Sequence, residues 1–107
     1  MKYVIDIDGT ICTSVLTGNY EESIPISSHI DKINKLYDEG HQITYFTARG
    51  MGRYGGNIFL AEENFYEFTS NQLNEWRCKY HKLILGKPSG DYYIDDKAIN
   101  SHEFFKN

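Results

Sequence analysis

An α/β fold built on a parallel sheet is predicted by three observations. Short apolar runs alternate with stretches of helical periodicity along the 107 residues. Turn residues separate the two kinds of stretch. Each apolar run also delivers a polar or charged residue to its carboxyl end. Strands separated by helices form βαβ units, whose crossovers are right-handed.

The first strand is "KYVIDI", residues 2–7. Residues 11–26 read as a small hairpin or flap turning at Gly18-Asn19. Ser27 or Ser28 caps a helix over 28–39, in which Ile30, Ile33, Leu36 and Tyr37 recur at helical spacing, and Gly40 stops it. "HQITYFTA", 41–48, is a second strand, followed by the glycine-rich loop "RGMGRYGGN", 49–57. A helix over 62–79 carries Leu73, Trp76 and Tyr80 on one face. "KLIL", 82–85, is a third strand and "DYYID", 91–95, a fourth. A short helix over 97–105, anchored by Ile99 and Phe104, closes the chain. There is no internal repeat and no low-complexity segment.

Length bounds the molecule to one domain, 1–107, with a modest core. The composition, 40% hydrophobic and 24% charged, is globular. A net charge of -4 without a basic block speaks against a nucleic-acid partner. No run approaches the ~20 apolar residues of a membrane helix, and the chain starts on a strand rather than a signal peptide. Cys12 and Cys78 lack CxxC spacing and are expected as reduced, buried thiols of a cytoplasmic protein. His29, His41, His81 and His102 show no ligand spacing and read as boundary or cap residues.

In open α/β sheets, ligands bind beyond the carboxyl ends of the strands. Asp6 and Asp8 end the first strand, Thr47 the second, and Asp95 and Asp96 the fourth; Lys87 follows the third. Helix capping explains any one of these and explains the set poorly. Carboxylates at i and i+2 project from one side of a strand. One carboxylate can attack phosphorus, and a second can protonate the leaving oxygen and then activate water. A hydroxyl and an ammonium can hold phosphoryl oxygens. Mg²⁺ asks for one or two carboxylates, waters and a substrate phosphate.

"DIDGT", Thr47, "GKP" and "IDD", in this order and each after a strand, resemble the four motifs of the haloacid dehalogenase superfamily of phosphatases. The resemblance covers essentially the whole chain. It implies a three-layer, Rossmann-like sheet with helices on both faces. It also implies Asp6 as nucleophile and metal ligand, and Asp8 as general acid/base with its backbone carbonyl on Mg²⁺. Thr47 and Lys87 would bind the phosphoryl group. Asp95 would complete the metal site, with Asp96 as a further ligand or a partner behind it. Thr10 and Arg49 are added as substrate-binding candidates next to these motifs. "YVIDIDGTIC", "ITYFTARGM" and "GKPSGDYYIDDKA" are similar to the small phosphatases of bacterial capsular-polysaccharide loci, which implies a sugar-phosphate or polyol-phosphate substrate.

Cap domains in the superfamily are inserted after the first motif or between the second and third. Here residues 11–46 and 48–86 are filled by the flap, the helices and the loop, so no cap domain is expected. Capless relatives often cover their site with a neighbouring subunit, which implies a homo-oligomer, a dimer or tetramer. Two alternatives stand beside this reading: a nucleotide or nucleic-acid end phosphatase, and a non-catalytic phosphate-binding module. Gly50, Gly52 and Gly55 match GxGxxG, but in the second βα turn of a chain too short for a dinucleotide fold. The stretch reads as a loop at the site, with Arg53 and Tyr54 at its tip.

Overall fold

The computed structural model describes residues 1–106. It has the expected class, an α/β fold with a parallel, Rossmann-like sheet and no cap domain. Three strands form the sheet in the order β1 (Lys2–Ile5), β2 (Gln42–Thr47), β3 (Lys82–Leu85). All neighbours are parallel, with Tyr3 opposite Ile43, Ile5 opposite Tyr45, and Thr47 opposite Leu85. Helix α1 (Ser27–Asp38) joins β1 to β2, and α2 (Ile58–Glu75) joins β2 to β3. A four-residue helix, α3 (Ser101–Phe104), follows.

Both crossovers step the same way across the sheet, and two right-handed connections of that kind lay their helices on the same face. The burial pattern agrees. The odd-numbered side chains Ile5, Ile43, Tyr45, Leu83 and Leu85 join Ile30 and Ile33 of α1 and Leu73 of α2 in one core cluster. The even-numbered face keeps Val4 and Ile84 exposed. Among the described residues, no helix supplies the second layer expected there.

Residues 91–95, expected as a fourth strand, form no strand and pair with nothing. Only Pro88, Ser89 and Gly90 separate them from Lys87, and a parallel crossover needs a dozen or more residues. Of the two expected anchors, Ile99 is exposed and Phe104 packs on the core, joined there by Phe105. Phe104 meets Tyr3, and Phe105 stacks on His29 with ring centroids 3.9 Å apart.

The flap is hairpin-like at its base, where Thr13 N–H donates to Ile24 and Ile26 N–H to Ile11. A 3-10 turn at Tyr20–Glu22 follows Gly18. Helix α1 lies within one residue of its expected span but lacks its expected cap. Its N-cap is Ile26, with no side-chain cap bond, so neither Ser27 nor Ser28 serves. Helix α2 starts four residues earlier than expected, because the Asn57 side chain caps it by accepting from Leu60 N–H at 3.1 Å. It ends at Glu75, where Arg77 turns into the left-handed region. Trp76 and Tyr80 still pack against the core, but from beyond the helix. Cys12 and Cys78 are free and buried, as expected.

Candidate active site

The end of β1 is built by a sharp turn. The Ile7 carbonyl accepts from both Thr10 and Ile11 N–H groups, and Gly9 N–H donates to Cys12. Gly9 has a φ of 79°, and a Cβ there would stand 2.9 Å from the Ser14 hydroxyl. Glycine thus lets the chain reverse directly after the two aspartates. Asp6 follows the last strand residue, and Asp8 sits inside the turn.

Asp6 faces Lys87. The Lys87 ammonium lies 3.7 Å from Asp6 Oδ1. Burial pushes the Asp6 carboxyl above its ordinary value; Lys87 and the Ile7 N–H pull it down without cancelling that, while the neighbouring Asp8 charge raises it further. A carboxylate kept partly dehydrated is a better nucleophile and a better cation ligand than one fully hydrated. Lys87 itself is aimed by the backbone. Its N–H donates to the Thr47 carbonyl at 3.2 Å, so β3 and the end of β2 stay in register through the loop. Its ammonium also lies 4.2 Å from the centre of the Tyr93 ring, a cation–π contact.

Asp8 is held by Arg49. The guanidinium donates Nε–H to Oδ2 and Nη2–H to Oδ1, both at 3.0 Å, a bidentate pair. Arg49 is only 1% exposed, the bulkiest fully buried side chain in the structure. Its remaining donor, Nη1, reaches Gln72 Oε1 at 2.7 Å and the Thr69 hydroxyl at 3.3 Å, both on α2. The Tyr20 ring of the flap lies over it, 4.6 Å from the guanidinium carbon. Gln72 in turn donates to the Tyr20 carbonyl at 2.8 Å, and Gly50 N–H donates to the Tyr20 hydroxyl. Flap, second-strand loop and α2 are thereby locked around one carboxylate. Expected as a substrate contact, Arg49 is instead spent inside the protein, where it orients Asp8. Oδ1 also accepts from the Cys12 thiol at 3.6 Å, Oδ2 retains a second acceptor position, and Asp8 keeps 23% side-chain exposure.

Thr47 is buried at the end of β2. Its Oγ1 accepts from Arg49 N–H at 3.1 Å and so shapes the turn after β2, leaving its own O–H to donate. Thr10 is half-buried, and its carbonyl meets His29 Nδ1 at 2.7 Å, which ties the turn to the start of α1. Asp95 and Asp96 lie exposed on the segment after β3. The Lys97 N–H, then the Asp96 side chain, hold the Asp95 carboxyl below its usual range. Among the described residues, no group of three or more His, Cys, Asp or Glu comes together to hold a metal ion. The chain brings Asp6, Asp8, Thr47 and Lys87 to one sheet edge, and leaves Asp95 and Asp96 outside that group.

Sequence reasoning missed Tyr20, Thr69, Gln72 and Tyr93. The one signal available was two polar residues, Thr69 and Gln72, on the face of α2 that also carries the buried Leu73. A cavity of about 230 Å³ adjoins this network between the flap turn and α2, walled by Tyr20, Arg53, Asn64, Phe65 and Phe68. Arg53 at the loop tip lies over the Phe65 ring there. No helix among the described residues is long and apolar enough to cross a membrane.

No protein-family model matches the chain, and no curated protein does. Among solved structures, the chain is similar to the crystal structure of a target protein from Vibrio cholerae, at 28% identity and a TM-score of 0.90. The match covers 99% of this chain and 88% of that one, so it takes in the segment after β3 as well as the sheet.

Proposed function

We propose that the protein is a cytoplasmic phosphomonoesterase that works through an aspartyl-phosphate, with a sugar phosphate or polyol phosphate as substrate. The observation that carries the reading is the Asp6–Lys87 pair at a strand end, 3.7 Å apart, beside an Asp8 clamped by a buried arginine. Lys87 and the Thr47 hydroxyl hold phosphoryl oxygens. Asp6 attacks phosphorus in line with the leaving group. Asp8, oriented by Arg49 and acting in its protonated form, gives that proton to the departing alkoxide. It then takes one from the water that cleaves the acyl phosphate. Such a transfer asks the protein mainly for position and charge neutralisation.

The donors also suit Mg²⁺, a hard cation that takes oxygen ligands and usually one or two carboxylates. Asp6 would hold it through its carboxylate and Asp8 through its backbone carbonyl, since the Asp8 side chain is engaged by Arg49. Bound there, the ion would neutralise charge on the phosphoryl oxygens. The cavity beside Tyr20, with aromatic walls and the polar ends of Arg53 and Asn64, suits a hydroxyl-rich leaving group.

The test is phosphate release from sugar, polyol, amino-alcohol and nucleotide phosphates, with Mg²⁺ and with EDTA. Release that is metal-dependent and biased to sugar or polyol phosphates is expected, and Asp6→Asn abolishes it while the protein stays folded. Full activity of Asp6→Asn ends the mechanism. Ligand binding without any turnover favours a phosphate-binding module.

A further inference from the structure

The residues expected as a fourth strand are built like one and have nowhere to pair within their own chain. Tyr92 and Ile94 alternate with Asp91, Tyr93 and Asp95, the period-2 pattern of a strand with one buried face. Tyr92 is 87% exposed and Ile94 97%. At the other end of the sheet, β1 is an edge strand, open on the side away from β2, with Val4 67% exposed. An open edge and an exposed apolar strand segment in one molecule are a known hazard that native proteins resolve by pairing or cover.

The two cannot meet within one chain in a useful direction. To lie parallel to β1 on its open side, the segment must start three strand spacings from β3, roughly 14 Å across. It must also start at least ~16 Å back towards the amino ends of the strands. Three residues separate Lys87 from Asp91, and four Cα steps span at most about 14 Å. Lys87 is pinned to Thr47, so the start of the connection cannot shift. An antiparallel approach would carry Asp95 to the wrong edge of the sheet.

We infer that residues 91–96 of one protomer add to β1 of a second copy as its fourth parallel strand, so that two copies exchange their C-terminal segments. Side-chain parity fixes the register. With Asp95 opposite Asp6, Ile94 falls opposite Ile5 and Tyr92 opposite Tyr3. The two most exposed apolar residues of the segment then enter the core face, and Tyr93 covers Val4 on the bare face. A slip of one residue would drive Asp95 into the core face instead. Helix α3 follows five residues later and reaches the same copy. The packing of Phe104 on Tyr3 and of Phe105 on His29, made within one chain here, is then made across the pair. The exchange gives up the local contacts of Tyr93 with Lys87, Pro88 and Gly90, and gains a strand with two buried apolar side chains. Residues 87–90 are the hinge. Resting on the phosphatase reading, the exchange also sets Asp95 and Asp96 beside the Asp6 and Asp8 of the other copy, which completes each site from two chains.

Light scattering on the wild type is expected to give about twice the 12.4 kDa of one chain. Ile94→Asp touches a side chain that a lone chain leaves in water, so it spares the fold by circular dichroism and halves the mass. A wild-type mass of one chain overturns the inference, as does a dimer that survives Ile94→Asp. The shared site has its own readout. Asp6→Asn and Asp95→Asn, each inactive alone, are unfolded and refolded together. Half the pairs are then mixed, each with one intact site, and about a quarter of wild-type activity returns. No recovery, with both variants dimeric, overturns the placement of Asp95 in the other copy's site. A dimer that releases phosphate from no substrate sinks the phosphatase reading alone, since the mass and the Ile94→Asp result still decide the exchange.

Discussion

Arg49 is the residue on which the geometry of the site turns. A buried guanidinium is tolerable only when its donors are paired, and here Asp8, Gln72 and Thr69 take four of the five N–H groups. Removing one partner of a buried ion pair leaves the other stranded, at a cost of roughly 3–5 kcal/mol. Arg49→Met is therefore expected to lower the unfolding free energy from urea titration by an amount in that range, and to collapse kcat through a loose Asp8. Arg49→Lys restores neither, because one ammonium cannot span both carboxylate oxygens. A lysine variant with wild-type kcat and midpoint would show that the bidentate clamp is dispensable. Asp6 carries the opposite sign. Burial raises its carboxyl above the unfolded value despite Lys87. Such a group favours the fold most at low pH, and its contribution is lost as pH rises through the folded-state value. In EDTA, Asp6→Asn should thus melt above the wild type at pH 7, with the gap closing below about pH 4. A variant that melts lower than wild type at pH 7 would mean that the Lys87 pairing outweighs the burial.

Elements were legible in the sequence where their signals are local. The "DIDGT" turn, the ends of β2 and β3, and α1 to within a residue all follow from short-range patterns. The α2 boundaries did not, because Asn57 acts as a cap at the end of a run that otherwise reads as glycine-rich loop, and the helix stop at Arg77 is a left-handed residue without glycine's signature. The partners of Arg49 come from 20 and 23 residues further on, a distance no local pattern spans. The segment 91–95 carries a strand pattern and forms no strand, since pattern reports facing and connection length decides reach. The glycines of "RGMGRYGGN" illustrate the same difference between pattern and place. Gly50 has a φ of 82°, and a Cβ there would stand 2.7 Å from Phe65 Cδ2 and 3.2 Å from Ala61 Cα, so the loop lies hard on α2. Gly52 has neither a positive φ nor an atom within 4 Å of its Cβ position. Gly50→Ala should lose at least ~1–2 kcal/mol from the left-handed backbone alone, and Gly52→Ala should be neutral or gain slightly by restricting the unfolded chain. Equal midpoints for the two variants would sink this account of the loop.

For the whole molecule, the question is whether the flap opens separately from the sheet. The two thiols can report on it, because they sit in different places. Cys12 lies at the base of the flap, and Cys78 lies beyond the end of α2. Both belong to the one core cluster. Burial pushes the Cys12 thiol up to about 12, helped by the Asp8 charge, and the Cys78 thiol up to about 11. Only thiolate reacts quickly with a disulfide reagent, so neither should react at pH 8 while the fold is closed. The flap is tied down by the Tyr20 contacts to Arg49, Gly50 and Gln72, which join it to both the second-strand loop and α2. If those contacts make it part of the core, both thiols become reactive together, with one shared dependence on urea that matches global unfolding. Mass spectrometry of the labelled peptides separates the two sites. Early labelling of Cys12 alone, with little urea dependence, would show that the flap opens while the sheet holds. The Asp8–Arg49 clamp would then be a contact that forms and breaks within the native state.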